Sequence, residues 1–117
     1  MRVNFETWIK ARDNEAYPLK VAEVTTAMGT HLIAELSSHD LSLCQAQVRS
    51  HKDLEDINTI WILWCHVNDE GLRTFDPRDK AHLVLVRGFG ASITNPLLHK
   101  AQALNNGPTQ EEAKKNS

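Results

Sequence analysis

Apolar positions recur at helical spacing from the start of the chain. Phe5, Trp8 and Ile9 stand at i, i+3 and i+4 behind Asn4, which can cap the turn. This predicts a short helix that fades at Asp13-Asn14 and ends before Pro18. From residue 19 to 36 the pattern changes. Leu19, Val21 and Val24 partly alternate, Gly29 offers a turn, and Leu32-Ile33 follow. A small β-hairpin around Ala27-Met28-Gly29-Thr30 fits this stretch. A helix through Val21, Val24, Met28 and Leu32 fits nearly as well.

Ser37 or Ser38 then starts a second helix, with Asp40 completing a weak capping box and Leu41, Cys44 and Val48 as its apolar stripe. A polar break at residues 50–53 precedes the strongest helix, expected over about residues 54–67. Leu54, Ile57, Trp61 and Trp64 form one stripe, and Ile60, Leu63 and Val67 broaden it. Its last turns are apolar nearly all round, so they need cover from the rest of the domain or from a partner subunit.

Asn68-Asp69-Glu70-Gly71 reads as a turn with Gly71 at positive φ. Asp76-Pro77-Arg78-Asp79 reads as a helix start, with Asp76 capping and Pro77 in the first helical position. Leu83 and Val86 face inward on that helix, and Gly88-Phe89-Gly90 interrupts it. Asn95-Pro96 restarts a helix carrying Ile93, Leu97, Leu98 and Leu104, and Asn105-Asn106-Gly107-Pro108 closes the domain. The expected fold is therefore mainly α. It is one small helical domain over residues 1–107, with a short hairpin near residues 19–36 and a disordered polar tail over residues 108–117.

Composition narrows the function. The chain has 117 residues, 41% of them apolar, enough for one modest core. A formal charge of −2 gives no general attraction to nucleic acid or to an anionic membrane. Two cysteines do not make a disulfide scaffold. The start, Met1-Arg2-Val3-Asn4-Phe5-Glu6, has no apolar signal core. The run Ile60-Trp61-Ile62-Leu63-Trp64-Cys65 is too short to cross a bilayer. Cytoplasmic location with reduced thiols is the expectation.

Neither the six histidines nor the two cysteines fall at metal-ligand spacing, and adjacent Cys65 and His66 would diverge by roughly 100° on a helix. Aligning Gly71 with the glycine of a calcium loop puts His66 and Pro77 at ligand positions, which excludes that loop. Gly88-Phe89-Gly90 lacks the third glycine of a dinucleotide fingerprint, where Ile93 stands. Ser92 has no nucleophile-elbow context, and Cys44 falls on a buried stripe. No catalytic residue, cofactor or metal is expected. A DNA-binding helical regulator is the main rival, but the 13 basic residues are dispersed and Lys114-Lys115 is too short for a basic arm. A small enzyme with a non-obvious site is the third reading. Interaction remains, with Trp61, Trp64, Phe75 and Phe89 as the candidate surface.

The second half of the chain carries a resemblance. An apolar helix leads into Asn68-Asp69-Glu70-Gly71-Leu72-Arg73-Thr74-Phe75-Asp76, then a charged start at Pro77-Arg78-Asp79, a further helix, and Leu104-Asn105-Asn106-Gly107. In this order the elements resemble the tail assembly chaperones of long-tailed bacteriophages and prophages, from about residue 36 to 107. Gly88, Gly90 and Pro96 interrupt the helix where family members are more regular.

The resemblance implies a non-enzymatic protein of the host cytoplasm, absent from the mature virion. It would coat the tape measure protein, keep its long apolar helices soluble and recruit major tail tube subunits. It would also self-associate, in spirals. A programmed ribosomal frameshift near the end of the gene is implied too, and Lys114-Lys115-Asn116 can be encoded by an A-rich slippery run. No nucleic-acid or membrane partner is implied.

Overall fold

The structure, a computed structural model, describes residues 2–13 and 19–106. The elements are α1 (Phe5–Asp13), β1 (Val21–Thr26), β2 (Gly29–Ala34), α2 (Ser38–Arg49), α3 (Leu54–Cys65), β3 (His66–Val67), α4 (Lys80–Arg87) and α5 (Ala91–Asn106). The fold is mainly helical, with a small three-stranded antiparallel sheet in the order β1-β2-β3. The tail and the 14–18 segment, including Pro18, lie outside the described residues.

Local chemistry accounts for the element starts. Asn4 and Thr7 form a reciprocal cap on α1: Thr7 N donates to Asn4 Oδ1 at 3.0 Å and Asn4 N to Thr7 Oγ1 at 3.2 Å. Ser37 caps α2 through the Asp40 amide at 3.2 Å. Asp53 caps α3 through the Glu55 amide at 2.9 Å. The hairpin expected near 19–36 forms over residues 21–34, with Thr26 opposite Gly29 at its closed end. Gly29 there has φ +128°, which a side chain would strain.

Three boundaries differ from the sequence reading. The strongest helix stops at Cys65, because His66 and Val67 pair with Ile33 and Leu32 as a third strand. That pairing is non-local, so helical periodicity cannot reveal it. The fourth helix begins at Lys80 and is capped by Asp79, whose carboxylate accepts the Ala81 amide at 2.8 Å. Asp76 instead organises the preceding turn, accepting the Arg78 amide at 3.0 Å. Pro77 is buried there, and its carbonyl accepts Gln47 Nε2 at 2.7 Å. Finally, α5 starts at Ala91 and runs through Pro96 without restarting. Pro96 has no N–H to offer the carbonyl of Ser92, an exposed residue, so one helical bond is absent there.

The core is built around α3, which packs against α2, α4 and α5, while α5 also covers the hairpin. Ile33, Cys44, Ile60, Leu63, Cys65 and Ala101 are fully buried. The all-round apolar end of α3 is thus covered within the chain itself. Arg87 Nη1 meets Asp56 Oδ1 at 2.7 Å and ties the end of α4 to α3.

Candidate interaction surface

The four aromatic residues expected at a surface do not share one. Trp61 and Trp64 are only 6% and 4% exposed and belong to the core. Trp64 joins three parts of the fold. Its indole Nε1 donates to Gln47 Oε1 at 2.9 Å, and the Arg73 guanidinium lies 4.5 Å above its ring. Arg73 also reaches Asp40 at 3.4 Å. Trp64 therefore fastens the 68–79 connection onto α2 and α3. Phe75 is half-buried in that connection, edge-on to both His66 and His82 with ring centroids 5.5 and 5.9 Å away. Phe89 alone of the four is exposed, at 42%.

Phe89 sits on the α4–α5 link between two concavities. One, of about 440 Å³, is lined by Leu54, Asn58, Arg87, Thr94 and Leu98. The other, of about 210 Å³, is lined by Met28, Ile62, Phe75, Val86 and Leu97, with His31 and His66 on its wall. The smaller lies below the roughly 300 Å³ at which drug-sized sites begin, while the larger exceeds it and has Arg87, Asn58 and Thr94 among its lining.

The larger apolar feature lies along α1. Phe5 is 80% exposed and Trp8 70%, on a helix that stands off the core. Trp8, with Val3, Thr7, Ala11, Arg12 and Leu19, borders an open groove of about 740 Å³ that Ser37 and Ser38 also line. Sequence reasoning placed Phe5 and Trp8 on one helix face but assigned them no partner role. The available signal was that α1 has nine residues, too few to be stable alone, yet carries two large aromatics.

Among the described residues every buried side-chain nitrogen and oxygen has a hydrogen-bond partner. His31 and His66 are hydrogen-bonded to each other, Nδ1 to Nε2, at 2.9 Å. Thr26 Oγ1 closes one end of this chain at 2.7 Å and Thr74 Oγ1 the other at 2.7 Å. Burial, and secondarily the neighbouring His31, lowers the His66 pKa, so its ring prefers the neutral form. Burial pushes both Cys44 and Cys65 up to about 12, leaving neither thiol ionised near neutral pH. Asn105 Nδ2 contacts Cys65 Sγ at 3.4 Å.

Among the described residues no group of three histidine, cysteine, aspartate or glutamate side chains could hold a metal ion. No described helix is long and apolar enough to cross a membrane. No protein-family model, no curated protein and no solved structure matches the chain.

Proposed function

We propose that this protein is a non-enzymatic phage tail assembly chaperone that holds the apolar helices of a tape measure protein in solution during tail assembly. The observation that carries this reading is the exposed aromatic face of α1. Phe5 and Trp8 leave most of their surface in water, and Trp8 lines a largely apolar groove. Two aromatics of this kind bury roughly 150–250 Å² each when covered. A helix of alternating apolar and polar stripes is a fitting occupant, since it can lay its apolar face along α1 and Leu19. Each contact would be small against the roughly 800 Å² per partner of a stable complex. Coating a long client with many copies, and contacts between those copies, compensate for that weakness. Recruitment of tail tube subunits, host-cytoplasmic action and absence from the virion complete the proposal, and all three rest on the resemblance from residue 36 onward.

Co-expression with the tape measure protein of the same phage tests it. The wild-type chain should bring the tape measure protein into the soluble fraction, and a Phe5→Ser/Trp8→Ser variant should fail while remaining folded. An insoluble tape measure protein in the presence of folded wild-type chain would refute the reading. Salt-dependent binding to duplex DNA instead would favour the regulator.

A further inference from the structure

The groove along α1 changes character from one turn to the next. Thr7 and Ala11 stand one turn apart in its lining, and Trp8 and Arg12 form the neighbouring row, also one turn apart. Val3 and Leu19 add apolar surface, so the lining is apolar around Trp8 and positive at Arg12. Among the described residues Arg12 is the one ionisable side chain on this lining, and no carboxylate shares it. Two carboxylates close by in the chain are engaged. Glu6 faces Lys10 at 3.9 Å, and Glu35 Oε1 accepts the Lys20 amide at 3.0 Å. Arg2 and Lys20, next in sequence to Val3 and Leu19, are exposed and add charge of the same sign as Arg12. A guanidinium keeps its charge throughout the physiological range.

We propose that the segment this groove receives is an acidic amphipathic helix, with apolar residues over Val3 and Trp8 and an aspartate or glutamate one turn away, facing Arg12. The inference rests on the client reading above and adds the charge pattern of the client. Trp8 and Arg12 are separated by one helical turn, about 5.4 Å along the axis. A partner helix meets both when its carboxylate stands three or four residues from an apolar anchor, in either direction. A second copy of this chain is a poorer match. Its α4 exposes Val84 and Leu85 between Lys80 and Arg87, which are of the wrong sign. Its exposed Leu54 is followed by Glu55 and Asp56, but no second exposed apolar side chain on α3 extends it into a stripe. Apolar contact supplies most of the binding, and the carboxylate selects among apolar helices and fixes their register.

Three synthetic helical peptides, titrated into the full chain, test this. They share one apolar stripe and differ at the flanking position, which holds glutamate, glutamine or lysine. Trp8 fluorescence reports binding, since Trp61 and Trp64 are buried. The acidic peptide should bind about two- to fivefold tighter than the glutamine peptide, the range of an exposed ion pair, and the lysine peptide should bind weakest. The gap should close in concentrated salt, which screens exposed charges. Arg12→Gln should bind the acidic and glutamine peptides equally, and Arg12→Lys should keep the preference. Equal affinities in the wild-type chain overturn the acidic client while leaving the client reading in place. Binding by none of the three peptides overturns both. Shielding of Trp8 by vesicles of anionic lipid, with no peptide bound, assigns the groove to a membrane surface and overturns the proposal. So does a free chain that shields Trp8 as its own concentration rises, which is the mark of a second copy.

Discussion

Asn105 reaches back across 69 positions of sequence to Leu36, its Oδ1 accepting the Leu36 amide at 2.7 Å. Its Nδ2 is held by the Ala101 carbonyl at 2.8 Å, so the side chain is fixed by its own helix before it meets its distant partner. One amide thus sews the end of α5 to the exit of the hairpin. Asn105→Ala leaves the partly buried Leu36 N–H without an acceptor. It should destabilise the chain by about 1–3 kcal/mol, read as a lower urea midpoint at constant slope. Asn105→Asp should recover part of the loss, because it keeps the acceptor and discards only the donor.

Trp64 is a fold residue with a polar obligation. Trp64→Ala removes a buried indole, leaves Gln47 Oε1 without its donor and takes the platform from under Arg73. A loss of about 3–5 kcal/mol is expected, a large part of the 5–15 kcal/mol that holds a domain of this size. Circular dichroism should therefore report lost helix. A folded variant with only its self-association changed would place Trp64 at a subunit contact instead.

The thiols should be inert until the chain opens. Cys44 and Cys65 are wholly buried and raised to about 12. Labelling by a thiol reagent at pH 8 should be slow in buffer and complete within minutes in urea. Rapid labelling in buffer would mean that the α2–α3–α5 core breathes far more than this packing allows.

Much of the architecture follows from short-range chemistry. The caps at Asn4 and Ser37, the turn at Gly29 and the apolar stripe of α3 are each written within a few residues. The turn at Asn68 is too: its side chain accepts the Glu70 and Leu72 amides at 2.9 and 3.0 Å, and Gly71 takes φ +80°. The expectations that shifted depend on distant partners. His66 and Val67 leave the helix for strand β2. Asp76 yields the cap to Asp79 because Gln47 and His82 hold the residues around it. Composition singled out Trp61 and Trp64 as surface candidates, since a nearly all-apolar helix demands cover. Periodicity could not show that α2, α4 and α5 supply it. The Leu104-Asn105 close, noted as punctuation, turns out to carry a long-range bond. Phe5 and Trp8 were visible as a helix face, but only the fold reveals that the face has no partner within the described chain.

Stability should depend on pH through His66. Its folded-state pKa lies below the unfolded value near 6.5, so the folded state prefers the neutral ring. The contribution is complete above about pH 6.5. It declines as the pH falls, because the unfolded chain takes up the proton first. Urea midpoints measured at pH 7.5, 6.5 and 5.5 should decrease in that order. The decrease should be smaller in His66→Gln, and an equal decrease in both chains would remove His66 as the cause.

Trp8 offers the most direct view of the proposed client surface, because it is the exposed tryptophan beside two buried ones. The decisive measurement is acrylamide quenching of tryptophan fluorescence while an apolar helical segment of the tape measure protein is added. The chaperone account predicts one readily quenched component in the free chain, protected and blue-shifted on saturation, and no binding by the Phe5→Ser variant. Binding of the segment with Trp8 still fully open to quencher, or no binding at all, would contradict it.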